Sequence, residues 1–269
     1  MKIIKSINKL YKQVNFKANI GFVPTMGALH EGHLSLIDSS KKKCKKTIVS
    51  IFVNPSQFKK KKDFKKYPRN LLKDLSVLKK KKVDYVFIPK LNEIYKNKKN
   101  KKIPISFRDK ILCAKYRKGH FEGVLAVIKQ FLSIVKARYI FLGNKDYQQV
   151  YLIQKFIKKK YNIKIVKCKT IRDENSLALS SRNFLLNKED LIKASILPKK
   201  LKSIYYQMKK NIKNSKKINN IKKQFSQKGI NIEYLEVRNK FNLSKKYNRS
   251  NFKIFVAYYI NNVRLIDNF

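Results

Sequence analysis

Two of the protein's three histidines, His30 and His33, lie three residues apart in the stretch VPTMGALHEGH, residues 23–33, which also holds two of its seven glycines. Imidazoles at this spacing can bind a metal, bind an anion, or simply occupy a strand-to-helix turn. A metal site needs a third and usually a fourth ligand, and the sequence shows no HExxH helix and no cysteine partner. The anion reading needs less. If a helix begins near Gly32, the two rings flank its first turn, where unpaired backbone N–H groups and the helix dipole favour negative charge. Neutral imidazoles there donate to phosphate oxygens, and the helix end keeps His33 unprotonated. A pair of solvent-exposed turn histidines is the plain alternative.

Such chemistry must be carried by regular elements, and the surrounding pattern supplies them. Apolar runs at residues 20–24, 47–53 (TIVSIFV), 83–89 (VDYVFIP), 139–143 (YIFLG) and 163–168 (IKIVKC) read as buried strands. Residues 34–39 start a helix, and residues 69–80 place Leu71, Leu72, Leu75 and Leu78 on one helical face. Residues 121–135 are apolar at helical spacing and residues 147–159 are amphipathic. Strands alternating with helices imply a parallel sheet covered on both faces. Ligands of such sheets sit beyond the carboxyl ends of the strands, and the informative polar residues follow Val23, Val53 and Leu142. Neither GxxxxGK(S/T) nor GxGxxG occurs, which argues against a P-loop kinase and a dinucleotide-dependent dehydrogenase. After about residue 170 a polar loop, IRDENSLALSSRN, leads into a Lys-rich helical stretch reaching about residue 227. NIEYLEVR (231–238), KIFVAYYI (253–260) and VRLID (263–267) then read as strands of a small α+β unit.

Composition bounds the remaining classes. A chain of 269 residues, 43% hydrophobic and 12% aromatic, can build a sizeable core. No apolar run approaches the roughly 20 residues of a membrane span, and the basic N-terminus lacks the continuous apolar centre of a secretory signal. Cys44, Cys113 and Cys168 lie far apart with no CxxC, which reads as free thiols in a reducing cytoplasm. The net charge of +50 would attract nucleic acid or anionic membrane non-specifically. Lys dominates over Arg, however, accompanies abundant Asn and Ile and no Trp, and collects in runs at residues 59–62 and 79–82. That is the mark of A/T-rich codon drift, whereas a nucleic-acid binder interleaves Arg and aromatics on one surface. The expectation is no specific nucleic-acid partner and no membrane, with anionic substrates drawn in.

Strand, loop, HxGH and helix together resemble the nucleotide-binding signature of the adenylyl-transferring group that includes the class I aminoacyl-tRNA synthetases. Five further stretches narrow the resemblance: VSIFVNPSQF (49–58), YPRNLLKDL (67–75), RKGHFEGV (117–124), GNKDYQQ (143–149) and LALSSRN (177–183). With VPTMGALHEGH they follow the pattern of the pantoate–β-alanine ligase family in order and near-family spacing. The resemblance is strong over about residues 3–190 and continues only in patches, such as YLEV at Tyr234 and RLIDN ending at Asn268.

That resemblance implies a Rossmann-like parallel-sheet domain with helices on both faces over residues 1–170, binding ATP and pantoate. A smaller α+β C-terminal domain, residues 171–269, would carry the SSRN phosphate loop and form a lid. It implies an AMP-forming condensation of pantoate with β-alanine through a pantoyl adenylate, using ATP and Mg²⁺, in a cytoplasmic homodimer. ATP falls to Met26, Gly27, Ala28, Leu29, His30, Glu31, Gly32 and His33, then to Gly143, Asn144, Lys145 and Asp146, and finally to Ile171, Leu179, Ser180, Ser181 and Arg182. His33 as proton donor, with His30, Lys145, Ser180 and Arg182, forms the catalytic set acting where charge develops on phosphorus. Gln57 and Gln149 hold pantoate, with Gln57 also close to β-alanine, since an amide donates and accepts at once, and Asn54 and Tyr67 shape that pantoate/β-alanine pocket. Asp74 binds Mg²⁺ or orients the phosphate-side residues, a solvated helix carboxylate being its plain alternative. Arg117 and His120 either approach the site or serve structure alone.

Three departures from the family pattern stand out. Asn144 replaces a usual Glu, Lys118-Gly119 replaces Pro-x before His120, and Asn175-Ser176 replaces Asp-Gly before Leu-Ala. Two other functions remain as competitors: a nucleotidyltransferase using the same HxGH on a phosphorylated acceptor, and a basic nucleic-acid-associating protein. Product formation and salt dependence of binding separate them.

Overall fold

The computed structural model describes residues 1–58, 61–95, 102–158, 160–218 and 220–269, so Lys59, Lys60 and Lys159 of the segments named above lie outside the described residues. The chain divides into two compact units, Met1–Thr170 and Ile171–Phe269.

The first unit runs β1 (Lys2–Ile4), α1 (Ile7–Gln13), β2 (Ile20–Thr25), α2 (Glu31–Lys43), β3 (Lys46–Ile51), α3 (Lys61–Lys66), α4 (Leu71–Lys80) and β4 (Tyr85–Phe87). It continues through α5 (Leu91–Ile94), α6 (Cys113–Tyr116), α7 (His120–Ile134), β5 (Tyr139–Gly143), α8 (Tyr147–Ile157) and β6 (Lys164–Cys168). Among the described residues the six strands form one parallel sheet in the order β1-β4-β3-β2-β5-β6. Side chains of successive strand residues go to opposite layers. Phe22 of β2 meets Phe131 of α7 at 5.4 Å between ring centroids. Its neighbour Val23 joins Leu34 and Ile37 of α2 and Leu78 of α4 in a separate core cluster. Helices therefore cover both faces, as a buried parallel sheet requires.

The strand order fixes where a ligand can enter. From β2 the chain moves outward through β3 and β4, then crosses back to lay down β5 and β6 on the other side. Adjacent connections thus diverge at the carboxyl ends of β2 and β5, opening the crevice in which such sheets bind ligands.

Two elements of this unit differ from the sequence expectation. β1 gave no signal because three residues are too few to show a period, and only its pairing with β4 defines it. In α4, Leu72 is 83% exposed and Leu71 is also exposed, while Asp74 and Leu78 are buried. The helix is rotated from its apolar stripe because the Asp74 carboxylate finds two backbone donors, described below.

The second unit contains α9 (Lys188–Lys210), α10 (Ile221–Ser226), β7 (Asn231–Asn239), β8 (Phe252–Ile260) and β9 (Val263–Asn268). The strands pair antiparallel in the order β7-β8-β9. Ala194, Leu197, Leu201, Ile204 and Met208 of α9 pack with Ile232, Ile254, Val256 and Leu265 of the sheet. Pro198 lies inside α9 and lacks the N–H that would reach Ala194. The hydroxyl of Tyr258 donates to the freed Ala194 carbonyl at 2.8 Å. No helix among the described residues is long and apolar enough to cross a membrane.

Candidate active site

The histidine stretch is shaped by its backbone before its side chains act. At the end of β2, Thr25 Oγ1 donates to the Ser50 carbonyl at 2.7 Å and accepts the Gly27 amide at 3.2 Å. The next two residues are left-handed, Gly27 at φ 76° and Ala28 at φ 50°. A Cβ on Gly27 would lie 2.9 Å from Asp74 Oδ2, so glycine is required there for both φ and space. The amides of Ala28 and Leu29 donate to Oδ2 and Oδ1 of Asp74 at 2.9 and 2.8 Å. Burial pushes the Asp74 carboxyl up and the two amides pull it back. Asp74 is therefore buried, not solvated, and both of its oxygens fasten the loop.

The loop delivers His30 as the N-cap of α2, one residue earlier than the helix start near Gly32 suggested. His30 Nδ1 accepts the Gly32 amide at 3.1 Å, and His33 Nδ1 accepts the His30 amide at 3.4 Å, a reciprocal capping arrangement. A nitrogen that accepts a backbone N–H carries no proton, so in each neutral ring the proton sits on Nε2. The rings are 4.1 Å apart between centroids. Burial, then the nearby Lys145 charge, lower the pKa of His30 to about 4, against a smaller opposing effect of Asp146. His33 is held well below its ordinary value by burial, then by His30 and Lys145. At neutral pH the pair is uncharged and presents two Nε2–H donors. Besides the proton-donor role expected of His33, the neutral ring can act as a hydrogen-bond donor through Nε2–H.

Beyond β3, Asn54 is 1% exposed and its side chain is committed inside the protein. Oδ1 accepts from the Ser56 amide, the Ser56 hydroxyl and the Tyr95 hydroxyl, at 3.2, 2.9 and 2.9 Å. Nδ2 donates to Gln57 Oε1 at 3.3 Å and to the Gly123 carbonyl at 3.2 Å. Asn54 thus holds Gln57 rather than facing solvent. Gln57 Nε2 in turn donates to Met26 Sδ at 2.8 Å, a weak thioether acceptor. Tyr67, which is buried, packs edge-on to Phe58 at 5.8 Å, beside Gln57 in sequence.

The RKGHFEGV stretch supports the same turn from α7. Arg117 donates to His120 Nε2 at 2.7 Å, since a guanidinium only donates, and this leaves Nδ1–H to donate to the Gln57 carbonyl at 2.8 Å. A Cβ on Gly123 would lie 2.4 Å from the Ser56 carbonyl oxygen and 2.9 Å from the Gln57 nitrogen. Gly123 and Tyr95 were missed as site residues in the sequence. A glycine within an otherwise apolar helix was the available signal for Gly123; Tyr95 had none.

Across the crevice, Gly143 ends β5 and a 3-10 turn, Asn144–Asp146, opens α8. Lys145 Nζ lies 3.9 Å from Asp146 Oδ1, and its charge reaches both histidines. Of the two glutamines that follow, Gln148 is structural: it donates to the carbonyls of Asp109 and Ile111 and accepts from Ala114. Gln149 is the more exposed of the pair. Glu31 is exposed at the first position of α2. Among the described residues no group of three or more His, Cys, Asp or Glu is arranged to hold a metal.

In the second unit the stretch expected as a plain loop is a tight hairpin. Arg172 bridges Ala178, and the Leu179 amide donates to the Ile171 carbonyl at 3.0 Å, bringing those two residues together. Ser180 caps the 3-10 turn Ser181–Leu185 by accepting the Arg182 amide at 3.2 Å. Ser181 is buried and Arg182 is partly exposed.

Residues 1–269 match the family described as Pantoate-beta-alanine ligase. The chain is 40% identical over 273 residues to a pantothenate synthetase of Clostridium botulinum (strain Langeland), covering 100% of this chain and 96% of that protein. It is 37% identical over 274 residues to a pantothenate synthetase of Pseudothermotoga lettingae, covering 100% and 97%. Among solved structures it resembles the pantoate-beta-alanine ligase of Francisella tularensis complexed with beta-gamma ATP and beta-alanine. That likeness has a TM-score of 0.86 and 37% identity, and covers 100% of this chain and 97% of the other. The pantothenate synthetase of Thermus thermophilus gives a TM-score of 0.89 at 28% identity, covering 100% and 99%. With one family matched from end to end and relatives of the same activity covered almost completely, the chain belongs to the pantoate–β-alanine ligase family.

Proposed function

We propose that this protein joins the carboxylate of pantoate to the amine of β-alanine at the expense of ATP, by way of an enzyme-held acyl adenylate. In the first step a pantoate carboxylate oxygen bonds to the α-phosphorus of ATP and pyrophosphate leaves. In the second the β-alanine amine attacks the acyl carbon, loses a proton, and AMP leaves with the bridging oxygen.

The observation that carries this reading is the contact between Gln57 and Met26. It sets an amide suited to a hydroxy acid against the first residue of the loop whose helix end suits a nucleotide phosphate. Substrate displaces the weak thioether acceptor from Gln57, and Gln149 is the second amide for pantoate. His30 and His33 stabilise charge on the α-phosphate through Nε2–H, and Lys145 adds its positive charge. The second unit contributes Ser180, Ser181 and Arg182 toward the outer phosphates, with Ile171 and Leu179 toward adenine. Asn54, Tyr67, Asp74, Arg117 and His120 position these groups.

Mg²⁺ fits this donor set without a protein cage, because a triphosphate supplies most of its ligands and one or two carboxylates suffice. Asp146, half-exposed beside Lys145, is the carboxylate we assign to it, and bound there the ion neutralises charge on the outer phosphates. Cys44, Cys113 and Cys168 are free thiols, which supports a reducing, cytoplasmic setting. A homodimer is part of the proposal, and exposed Leu72 and Phe107 are apolar surface that sedimentation of the L72K and F107K variants would test.

Mass spectrometry of products from ATP, pantoate, β-alanine and Mg²⁺ tests the reaction. Pyrophosphate, together with pantothenate and AMP that form only when β-alanine is present, is the expected result. Transfer of a nucleotidyl group to a phosphorylated acceptor, with no β-alanine dependence, overturns it.

A further inference from the structure

Two stretches, RDEN, which follows Ile171, and RLIDN, carry no assigned role and meet in the second unit. Arg172 Nη1 and Nη2 donate to Asp267 Oδ2 and Oδ1 at 2.6 and 2.8 Å, a two-pronged pair in which the Asp267 side chain is 1% exposed. The same guanidinium donates to the Ser176 carbonyl at 2.9 Å and to the Asn268 carbonyl at 3.3 Å. It also lies 4.6 Å from the centre of the Phe269 ring. One side chain therefore ties the turn of the 171–179 hairpin to the end of β9, which itself packs against the Ser181–Leu185 turn.

The hairpin needs such a tie. Its turn carries Ser176 at φ 69°, a left-handed conformation natural to glycine and strained for serine. Its arms are joined at the one Arg172–Ala178 bridge by the Asp173–Leu177 and Leu179–Ile171 backbone bonds, both 3.0 Å, with the Leu177 amide also donating to Asp173 Oδ1 at 2.9 Å. The outgoing arm ends directly on Ser180, whose hydroxyl sets the turn that carries Ser181 and Arg182.

We propose that Arg172, locked by Asp267, is a positioning residue that sets the hairpin and so aims the Ser180-Ser181-Arg182 turn at nucleotide phosphates. This rests on the phosphate-binding role given to that turn above. Arg172 touches no substrate group in this scheme. Its forked donor geometry does the holding, which a lysine, as a point charge, cannot reproduce.

The test compares wild type with Arg172→Lys and Asp267→Asn by two readouts. In R172K the KM for ATP is expected to rise about tenfold, as misplacement remote from the chemistry does, with the KM for pantoate unchanged. Hydrogen exchange is expected to quicken at amides 177–183 while β7 and β8 keep their protection. D267N should show the same pattern. Unchanged exchange, unchanged KM for ATP, or exchange quickened evenly across the second unit each overturns the assignment, the last marking simple loss of stability. The wild-type assay separates this from the functional reading. No β-alanine-dependent AMP release in wild type overturns the ligase, and the exchange comparison still decides whether Arg172 holds the turn.

Discussion

The Asp74 carboxylate accepts the Ala28 amide through one oxygen and the Leu29 amide through the other, across helix α4 and the loop after β2. Asp74→Asn replaces one acceptor by an NH₂ group that faces a backbone N–H. Leaving a buried donor without a partner costs about 2–3 kcal/mol with a charged acceptor lost. Urea unfolding should show a loss of that size, and the KM for ATP should rise because the loop is no longer pinned.

His33→Ala removes the Nε2–H donor and should cut adenylate formation by about 10²–10³-fold, the range for one lost donor to developing charge. His33→Gln separates donation from proton transfer. A glutamine Nε2 can reach a position close to that of the imidazole Nε2 and cannot ionise. Activity well above that of H33A, measured by pyrophosphate release, is expected; a variant as inactive as H33A would favour the proton-donor role.

The pKa of His30 in the folded chain, about 4, lies below its ordinary 6.5, which fixes the direction of a pH effect. As pH falls, the unfolded chain takes up the proton first, so stability is lost. The contribution is whole above about pH 6.5 and declines down to about pH 4, by as much as roughly 3 kcal/mol at 1.36 kcal/mol per unit. Denaturant unfolding of wild type and His30→Gln at pH 7.5, 6 and 5 checks this. The wild-type curve should fall more steeply, and parallel curves would refute the depressed value.

Gly123→Ala would put a methyl group 2.4 Å from the Ser56 carbonyl oxygen, and backbone cannot yield as a flexible side chain can. A strain of about 1–3 kcal/mol is expected, relieved by moving the turn that carries Gln57. The KM for pantoate should rise more than the KM for ATP in steady-state assays.

Ser176 sits at φ 69°, where the family pattern has glycine. Ser176→Gly should stabilise the protein by about 0.5–1 kcal/mol, the relief of left-handed strain less the entropy that glycine adds to the unfolded chain. Thermal unfolding measures it, and a lower midpoint would contradict the strain.

The alternation of strand and helix was legible because β-branched runs such as TIVSIFV have no competing period, and YIFLG matches β5 residue for residue. That polar residues cluster after the ends of three of these strands was legible too. What each residue does there was less so. Whether Asp74 is solvated was not legible from a helix whose leucines form an apolar stripe, and only the two amides it meets 45 or 46 residues away in sequence explain why it is buried. How Asn54 shapes its pocket was not legible, because its bonds to Tyr95 and Gly123 are tertiary facts. Pro198 should end a helix, and α9 continues because Tyr258 serves the freed carbonyl.

The pairing of β2 with β5, Gly21 beside Tyr139, also constrains when the site comes into being. The two banks of the crevice are far apart along the chain, so their joining closes a long loop and is a non-local step in folding. A nucleotide can recognise only the completed sheet. It should therefore act on the lifetime of the finished protein, slowing the escape from the native state, while leaving the rate of reaching that state nearly untouched.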